Sequence, residues 1–157
     1  FAGVPAGTVQ ALTISKLGVK LNFAKPASDA IAFSAILPVD PGFSIQGKQV
    51  VVDVGGVVKV FLLDAKGSSP KANDTFKIKI KATKGVVAQQ QAKFQVKFNK
   101  GNFAALLADE GLVNTEVRDR IRPIPVIVLF AEKYFQANQP QLYSARIDKG
   151  GKTKQPR

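Results

Sequence analysis

Apolar and polar residues alternate along most of the chain, and this period of two predicts β-strands. In residues 16–23 (KLGVKLNF) apolar side chains fall on every second position, so they share one face. Residues 75–83 repeat the pattern, and a long strand is predicted over residues 86–99. We also expect strands over residues 8–14, 30–37, 124–130, 133–137 and 141–147.

The clearest local prediction is a β-hairpin over residues 49–64. Two runs rich in valine flank Gly55-Gly56. Paired glycines suit a two-residue hairpin turn, because both central positions of that turn need positive φ.

One segment has the spacing of a helix. Phe103, Leu106 and Leu107 recur at intervals of three and four within residues 102–112. We expect Asn102 to be the N-cap and Gly111 to end the helix.

About ten short strands separated by turn signals favour an all-β fold, an immunoglobulin-like antiparallel β-sandwich with one short helix. The sandwich would span residues 16–148, with residues 118–123 as a charged connector. Residues 1–15 would form an uncharged N-terminal extension or donor strand, and residues 149–157 a basic C-terminal tail.

Three pairs of segments match within the chain. Residues 19–22 resemble residues 96–99, and residues 52–54 and 59–61 resemble residues 126–128 and 133–135. Duplication of a half-domain of about 75 residues would produce these matches. Chance would also produce them in any chain of alternating strands.

Residues 52–67 (VDVGGVVKVFLLDAKG) resemble uncharacterised secreted bacterial β-sandwich domains. The resemblance extends over residues 16–112. It implies an exported β-sandwich and no particular activity, so it assigns no functional residue.

Composition excludes several kinds of chemistry. The chain has 23 Lys and Arg against 11 Asp and Glu, a formal charge of +12, and it has no Cys or His. Thiolate nucleophiles, Ser–His–Asp triads and zinc fingers are therefore excluded. The acidic residues are scattered, which disfavours a carboxylate metal site or a glycosidase pair. We expect no enzyme, no cofactor and, without a run of about 18 apolar residues, no membrane span.

The first residues indicate where the protein works. The sequence starts Phe1-Ala2-Gly3 and contains no Met. Removal of a signal peptide would leave such a start, so we expect a secreted, extracellular or cell-surface protein. A trimmed sequence is the alternative explanation.

The uncharged N-terminal segment is the first candidate site. A terminal apolar strand must pair with a sheet, because its backbone groups need partners. If that sheet belongs to the next copy, strand donation builds a head-to-tail filament. The donor residues would be Val9, Ala11, Leu12, Thr13 and Ile14. The alternative is an ordinary first strand of the chain's own sheet.

Rows of lysine are the second candidate site. Lys77, Lys79, Lys81, Lys93 and Lys97 alternate with apolar residues, so they would share an outward face suited to an anionic partner. The alternative is a solubilising face that blocks aggregation. The phenylalanines would point inward, away from the lysines. This arrangement disfavours nucleic acid as a partner, because single strands stack on aromatic side chains beside the cations.

The sequence thus supports two functions. The first is a structural subunit of an extracellular, pilus-like filament, assembled by strand donation between copies. The second is a monomeric adhesion or carbohydrate-binding module whose basic face binds acidic polysaccharide.

Overall fold

The fold consists almost entirely of β-strands, and the computed structural model describes residues 9–156. The strands are β1 (Val9–Ala11), β2 (Thr13–Asn22), β3 (Asp29–Val39), β4 (Gln49–Val54), β5 (Val57–Leu62), β6 (Thr75–Lys79), β7 (Ala82–Thr83), β8 (Val86–Val87), β9 (Gln90–Gly101), β10 (Val117–Phe130), β11 (Lys133–Arg146) and β12 (Gly150–Lys154). The helical segments described are α1 (Ala104–Leu107) and a 3-10 turn, Ala108–Glu110.

Ten strands form one sheet in the order β5-β4-β10-β11-β12-β2-β3-β9-β6, with β1 added beside β11. β1 runs parallel to β11, and the other neighbours pair antiparallel. The predicted all-β class is confirmed. The ten-stranded sheet is continuous and nearly closed, and β7 and β8 form a separate two-stranded sheet. The finer prediction, an immunoglobulin-like sandwich of two facing sheets, is not confirmed.

The two ends of the sheet, β5 and β6, come close together. The Lys59 ammonium in β5 lies 3.2 Å from a carboxylate oxygen of Asp74, just before β6. The N–H of Ile78 in β6 donates to the carbonyl oxygen of Gly67, at 2.9 Å. Residues 67–69 thus cover the outer edge of β6.

Phenylalanine rings inside the curled sheet link its two ends. Successive ring centroids lie 5.3–6.2 Å apart, a normal range for packed aromatic pairs. The six rings belong to Phe33, Phe61, Phe76, Phe94, Phe98 and Phe103. The inward phenylalanines predicted from the alternation therefore form part of the core.

The predicted helix is shorter than its spacing indicated. α1 is a single turn with Phe103 at its N-cap, and no side chain caps it. Asn102 instead accepts a 2.7 Å hydrogen bond from the N–H of Ala27, so the predicted N-cap is wrong. Gly111 ends the 3-10 turn in a left-handed conformation, φ 82°, as predicted.

Residues 118–123 belong to β10 and do not form a charged connector. Pro123 and Pro125 fit there because β4 pairs only with residues 126–129 of β10. The carbonyl oxygen of Pro125 accepts from Gly55, so its nitrogen faces the same side, where β4 has ended. The missing N–H groups therefore cost no bond of the ladder.

Residues 150–154 form β12, in the middle of the sheet, where we expected a basic tail. β12 pairs with β11 on one side and with β2 on the other. The hydroxyl of Thr153 also accepts a 2.9 Å hydrogen bond from the N–H of Val19.

The strands that carry the internal matches occupy related places in the sheet order. β2 and β9 flank β3, and β4 lies next to β10. This arrangement is what a duplicated half-domain would produce, and the duplication stays a prediction.

Candidate binding surface

The lysines predicted on β6 and β9 are neighbours on the outer face of the sheet. Lys79 lies directly opposite Lys93, and Lys97 lies opposite Thr75. Lys77 faces Gln95 in the same register. All four lysine side chains are exposed, while the phenylalanines between them are buried.

Lys81 does not belong to this row. β6 ends at Lys79, and Lys81 lies between β6 and β7. The side chain of Gln90 holds its backbone, accepting from the N–H of Lys81 and donating to its carbonyl oxygen, both at 2.8 Å. The continuous strand that we expected over residues 75–83 is therefore interrupted between β6 and β7.

Four further lysines extend the basic surface, and sequence analysis missed them. Lys16 and Lys20 project outward from β2, because Leu17 and Val19 face the core. Lys152 and Lys154 are exposed on β12. Lys20 lies directly opposite Lys152, a second like-charge pair across neighbouring strands.

Between these lysines lies a floor of small residues. Ala32 pairs with Gly18 of β2 on one side and with Lys97 of β9 on the other. Ser34 pairs with Lys16 and with Gln95, and Ala30 pairs with Lys20. The lysine trough is this floor and its two walls: Gly18, Ala30, Ala32 and Ser34 below, Lys16, Lys20, Lys152 and Lys154 on one side, and Lys77, Lys79, Lys93 and Lys97 on the other.

Shallow depressions follow the trough. One of about 500 Å³ lies among Lys16, Ala32, Lys97 and Lys154. A larger one, about 940 Å³, lies at the end of the trough, where Lys25, Lys100 and Lys149 join Lys20. The two walls stand two strand spacings apart, roughly 10 Å.

Few acidic groups neutralise the trough. Within residues 9–156, Lys154 forms an ion pair with Asp119 at 3.5 Å, and both side chains are well exposed. Like charges directly opposite each other destabilise a sheet by a few tenths of a kcal/mol per pair. The pairs Lys20–Lys152 and Lys79–Lys93 are therefore a local cost to the free protein, and a bound anion would relieve it.

No Phe or Tyr of residues 9–156 is among the side chains exposed in the trough. Phe94 and Phe98 lie beneath it with 1% and 0% of their surface exposed. None of the large apolar side chains exposed among residues 9–156 is a Phe or Tyr. The trough can attract negative charge, but it offers no ring for a nucleobase to stack on.

Residues 9–14 of the N-terminal candidate segment lie within the chain's own sheet, and residues 1–8 of the predicted extension lie outside the described residues. Val9 and Ala11 pair with Tyr134 and Gln136 of β11, and the N–H of Leu12 donates to the carbonyl oxygen of Gln136 at 2.8 Å. Thr13 and Ile14 open β2 and pair with Ile36 and Ala35 of β3. This is the ordinary-strand arrangement that sequence analysis gave as the alternative to donation.

The acidic residues have structural partners. Asp64 accepts from the N–H groups of Lys66 and Ser68, and these backbone hydrogen bonds lower the pKa of its carboxyl. Asp53 accepts from the N–H of Gly56 in the hairpin turn. Among residues 9–156, no group of three acidic side chains is placed to hold a metal ion.

The described part of the chain contains no helix long and apolar enough to cross a bilayer.

Comparisons with family models, curated proteins and solved structures found no match for this chain.

Proposed function

We propose that this protein is a binding module for a linear polyanion, with acidic polysaccharide as the partner and the lysine trough as its site. The observation that carries the proposal is a floor of small residues between two walls of exposed lysines. Small side chains on the floor let a chain of sugars approach the sheet closely. Lysines on both sides then neutralise its carboxylates or sulfates.

Several features favour polysaccharide over nucleic acid. The trough is open and shallow, and its lysines have no exposed aromatic neighbour in the described part of the chain. Its contacts would be ionic, with the lysine side chains as flexible point charges. Such a site selects for charge density rather than for sequence. An acidic polysaccharide partner fits the secreted or cell-surface location that we propose for the protein.

The test is binding to heparin, a sulfated polysaccharide, at several salt concentrations. Screening weakens contacts between exposed charges, so affinity should fall steeply between 50 and 300 mM salt. Uncharged dextran is the matched polymer without charge. Single-stranded DNA of similar charge is the competing polyanion, and equal affinity for it would overturn the choice of polysaccharide.

Charge reversal locates the site. The double variant Lys20→Glu/Lys97→Glu changes both walls of the trough and should weaken heparin binding at least about tenfold at low salt. The double variant Lys66→Glu/Lys71→Glu is the control with the same change of charge, because both lysines are exposed but lie in the loop before β6, outside the trough. Equal losses in both variants would show that net charge alone drives binding and would contradict the site.

A second candidate function is the filament subunit assembled by strand donation. The short length of β1 favours this candidate, because so short a strand is bound only weakly to its own sheet. β1 comprises three exposed residues, and Leu12 is the first buried side chain after it. Exchange of this segment between copies would extend the chain into a polymer.

Electron microscopy of the full chain tests the second candidate. Strand donation predicts fibres that barely respond to salt. Deleting residues 1–11 removes β1 and should leave a folded monomer. Fibres that persist after the deletion would contradict donation by this segment.

A further inference from the structure

The outer strand β5 carries three exposed apolar side chains and no charge on its outward face. Val58, Val60 and Leu62 are 49%, 61% and 55% exposed. A third of the nine large apolar residues exposed among residues 9–156 therefore lie on this one strand. Edge strands are normally protected by lysine, proline or a covering segment, as residues 67–69 protect β6.

The backbone groups of the same three residues point away from β4. Because the turn Gly55–Gly56 has two residues, the backbone of every second residue of β5 forms hydrogen bonds to β4. The alternation continues at Leu63, whose N–H donates to the carbonyl oxygen of Lys48 at 2.9 Å. Residues 58, 60 and 62 fall at the other positions. No hydrogen bond from residues 9–156 is recorded to their backbone groups.

We propose that two copies of this chain associate through β5, strand against strand and antiparallel, with the twofold axis at Val60. Val60 then faces the partner subunit's Val60, and Val58 faces the partner subunit's Leu62. The three residues are spaced symmetrically about Val60, so every outward donor meets an acceptor. An isologous contact of this kind closes at two copies.

Charges at the two ends of β5 favour this orientation. Glu110 lies beside the Gly55 end, with its Cγ 3.2 Å from the position of a Cβ built there, and Asp109 precedes it. Lys48 lies at the other end, next to Leu63. Asp64 is at that end too, but the neighbouring Lys66 ammonium offsets its charge. Antiparallel pairing places the acidic end of each copy near the partner's Lys48 end, whereas parallel pairing would place like ends together.

Cysteine cross-linking tests the pairing directly, because the natural chain contains no cysteine. Directly opposed residues in a hydrogen-bonded antiparallel pair have Cα atoms about 5.5 Å apart, within the range of a disulfide. Val60→Cys should therefore give a covalent dimer on mild oxidation. Val58→Cys and Leu62→Cys should cross-link poorly alone, and their double variant should cross-link well.

Sedimentation of the intact protein gives an independent measurement. The natural chain should show a monomer–dimer equilibrium that stops at two. Val60→Lys should shift it to monomer by at least tenfold in dissociation constant, because two like charges then meet at the axis. Val86→Lys is the control, since Val86 is equally exposed but lies on β8.

Three outcomes would overturn the proposal. They are a natural chain that stays monomeric at high concentration, cross-linking of Val86→Cys as efficient as that of Val60→Cys, and larger assemblies that Val60→Lys leaves unchanged. None of these bears on the trough, because heparin binding by a monomer is measured separately.

Discussion

The ring of Tyr143 in β11 packs directly against the backbone of Gly151 in β12. A Cβ at residue 151 would lie 2.7 Å from Cε1 of that ring, closer than any normal contact. The ring is fully buried, and its hydroxyl donates a 2.8 Å hydrogen bond to the carbonyl oxygen of Val113. The aromatic side chain thus occupies the space that a side chain at residue 151 would need.

Gly151→Ala should destabilise the protein by about 1–3 kcal/mol, because the added methyl group overpacks a closed part of the core. Urea unfolding measures the change. Gly18→Ala is the matched control, since no atom lies within 4 Å of a Cβ built at that strand position. Equal stability of the two variants would contradict the packing described for Tyr143.

Burial raises the pKa of Tyr143 from 10.0 to about 12. The chain has two tyrosines, so in a Tyr134→Phe variant the absorbance of tyrosinate reports Tyr143 alone. We expect its titration midpoint near pH 12. A midpoint near pH 10 would mean that the hydroxyl is solvated.

The raised pKa of Tyr143 also makes stability depend on pH. The folded protein holds this proton more tightly than the unfolded chain, so its contribution is complete below pH 10.0 and is lost as the pH rises toward 12. Tyr143→Phe should be less stable at neutral pH by about 1 kcal/mol, the worth of one hydrogen bond. Its stability should fall less steeply in alkali than that of the natural chain.

Asp29 joins the last residue of β2 to the start of α1. Its carboxylate accepts hydrogen bonds of 2.8 Å from the N–H groups of Asn22 and Phe103, and the residue is only 4% exposed. Asp29→Ala leaves both donors without this partner and should cost about 2–4 kcal/mol. Asp40→Ala removes an exposed ion pair with Lys133 and should cost at most about 1 kcal/mol. If thermal unfolding showed that Asp29→Ala and Asp40→Ala lose similar amounts of stability, the expected difference would be refuted.

Burial, followed by the charges of Asp109 and Asp53, raises the pKa of Glu110 above its ordinary value of 4.5. The folded state therefore binds this proton more tightly. Stability falls as the pH rises from about 4.5 through the raised pKa.

Glu110→Gln removes this dependence on pH. The variant should gain stability relative to the natural chain at pH 7 and gain less at pH 3.5. Glu132→Gln, at an exposed position, serves as the control. A gain that is the same at both pH values would show that Glu110 does not titrate abnormally.

Strands with one buried face were predictable, because burial imposes a period of two on the sequence. β2, β6 and β9 follow that rule. β12 does not, because its buried positions are held by Gly151 and Thr153. Their burial depends on the Tyr143 ring and on the N–H of Val19, which no local pattern shows.

The lysine rows of β6 and β9 were predictable for the same reason. The rest of the trough was not, since it requires the knowledge that β3 lies between β2 and β9 and that β12 borders β2. Strand order depends on packing between distant segments. Lys81 is the opposite case, because the sequence pattern suggested a strand that the structure does not have. The alternation of apolar and polar residues continues through Lys81, but Gln90 bonds to its backbone and β6 ends before it.

The hydrogen bond from Val19 to Thr153 joins residues 134 positions apart. During synthesis at about 5–20 residues per second, β2 therefore waits several seconds before its partner β12 leaves the ribosome. Throughout that interval the edge of β2 that later pairs with β12 has no partner strand. The sheet can therefore be completed only after residue 154 has been translated. Chaperones that shield unpaired strands would be most useful to this protein at that stage.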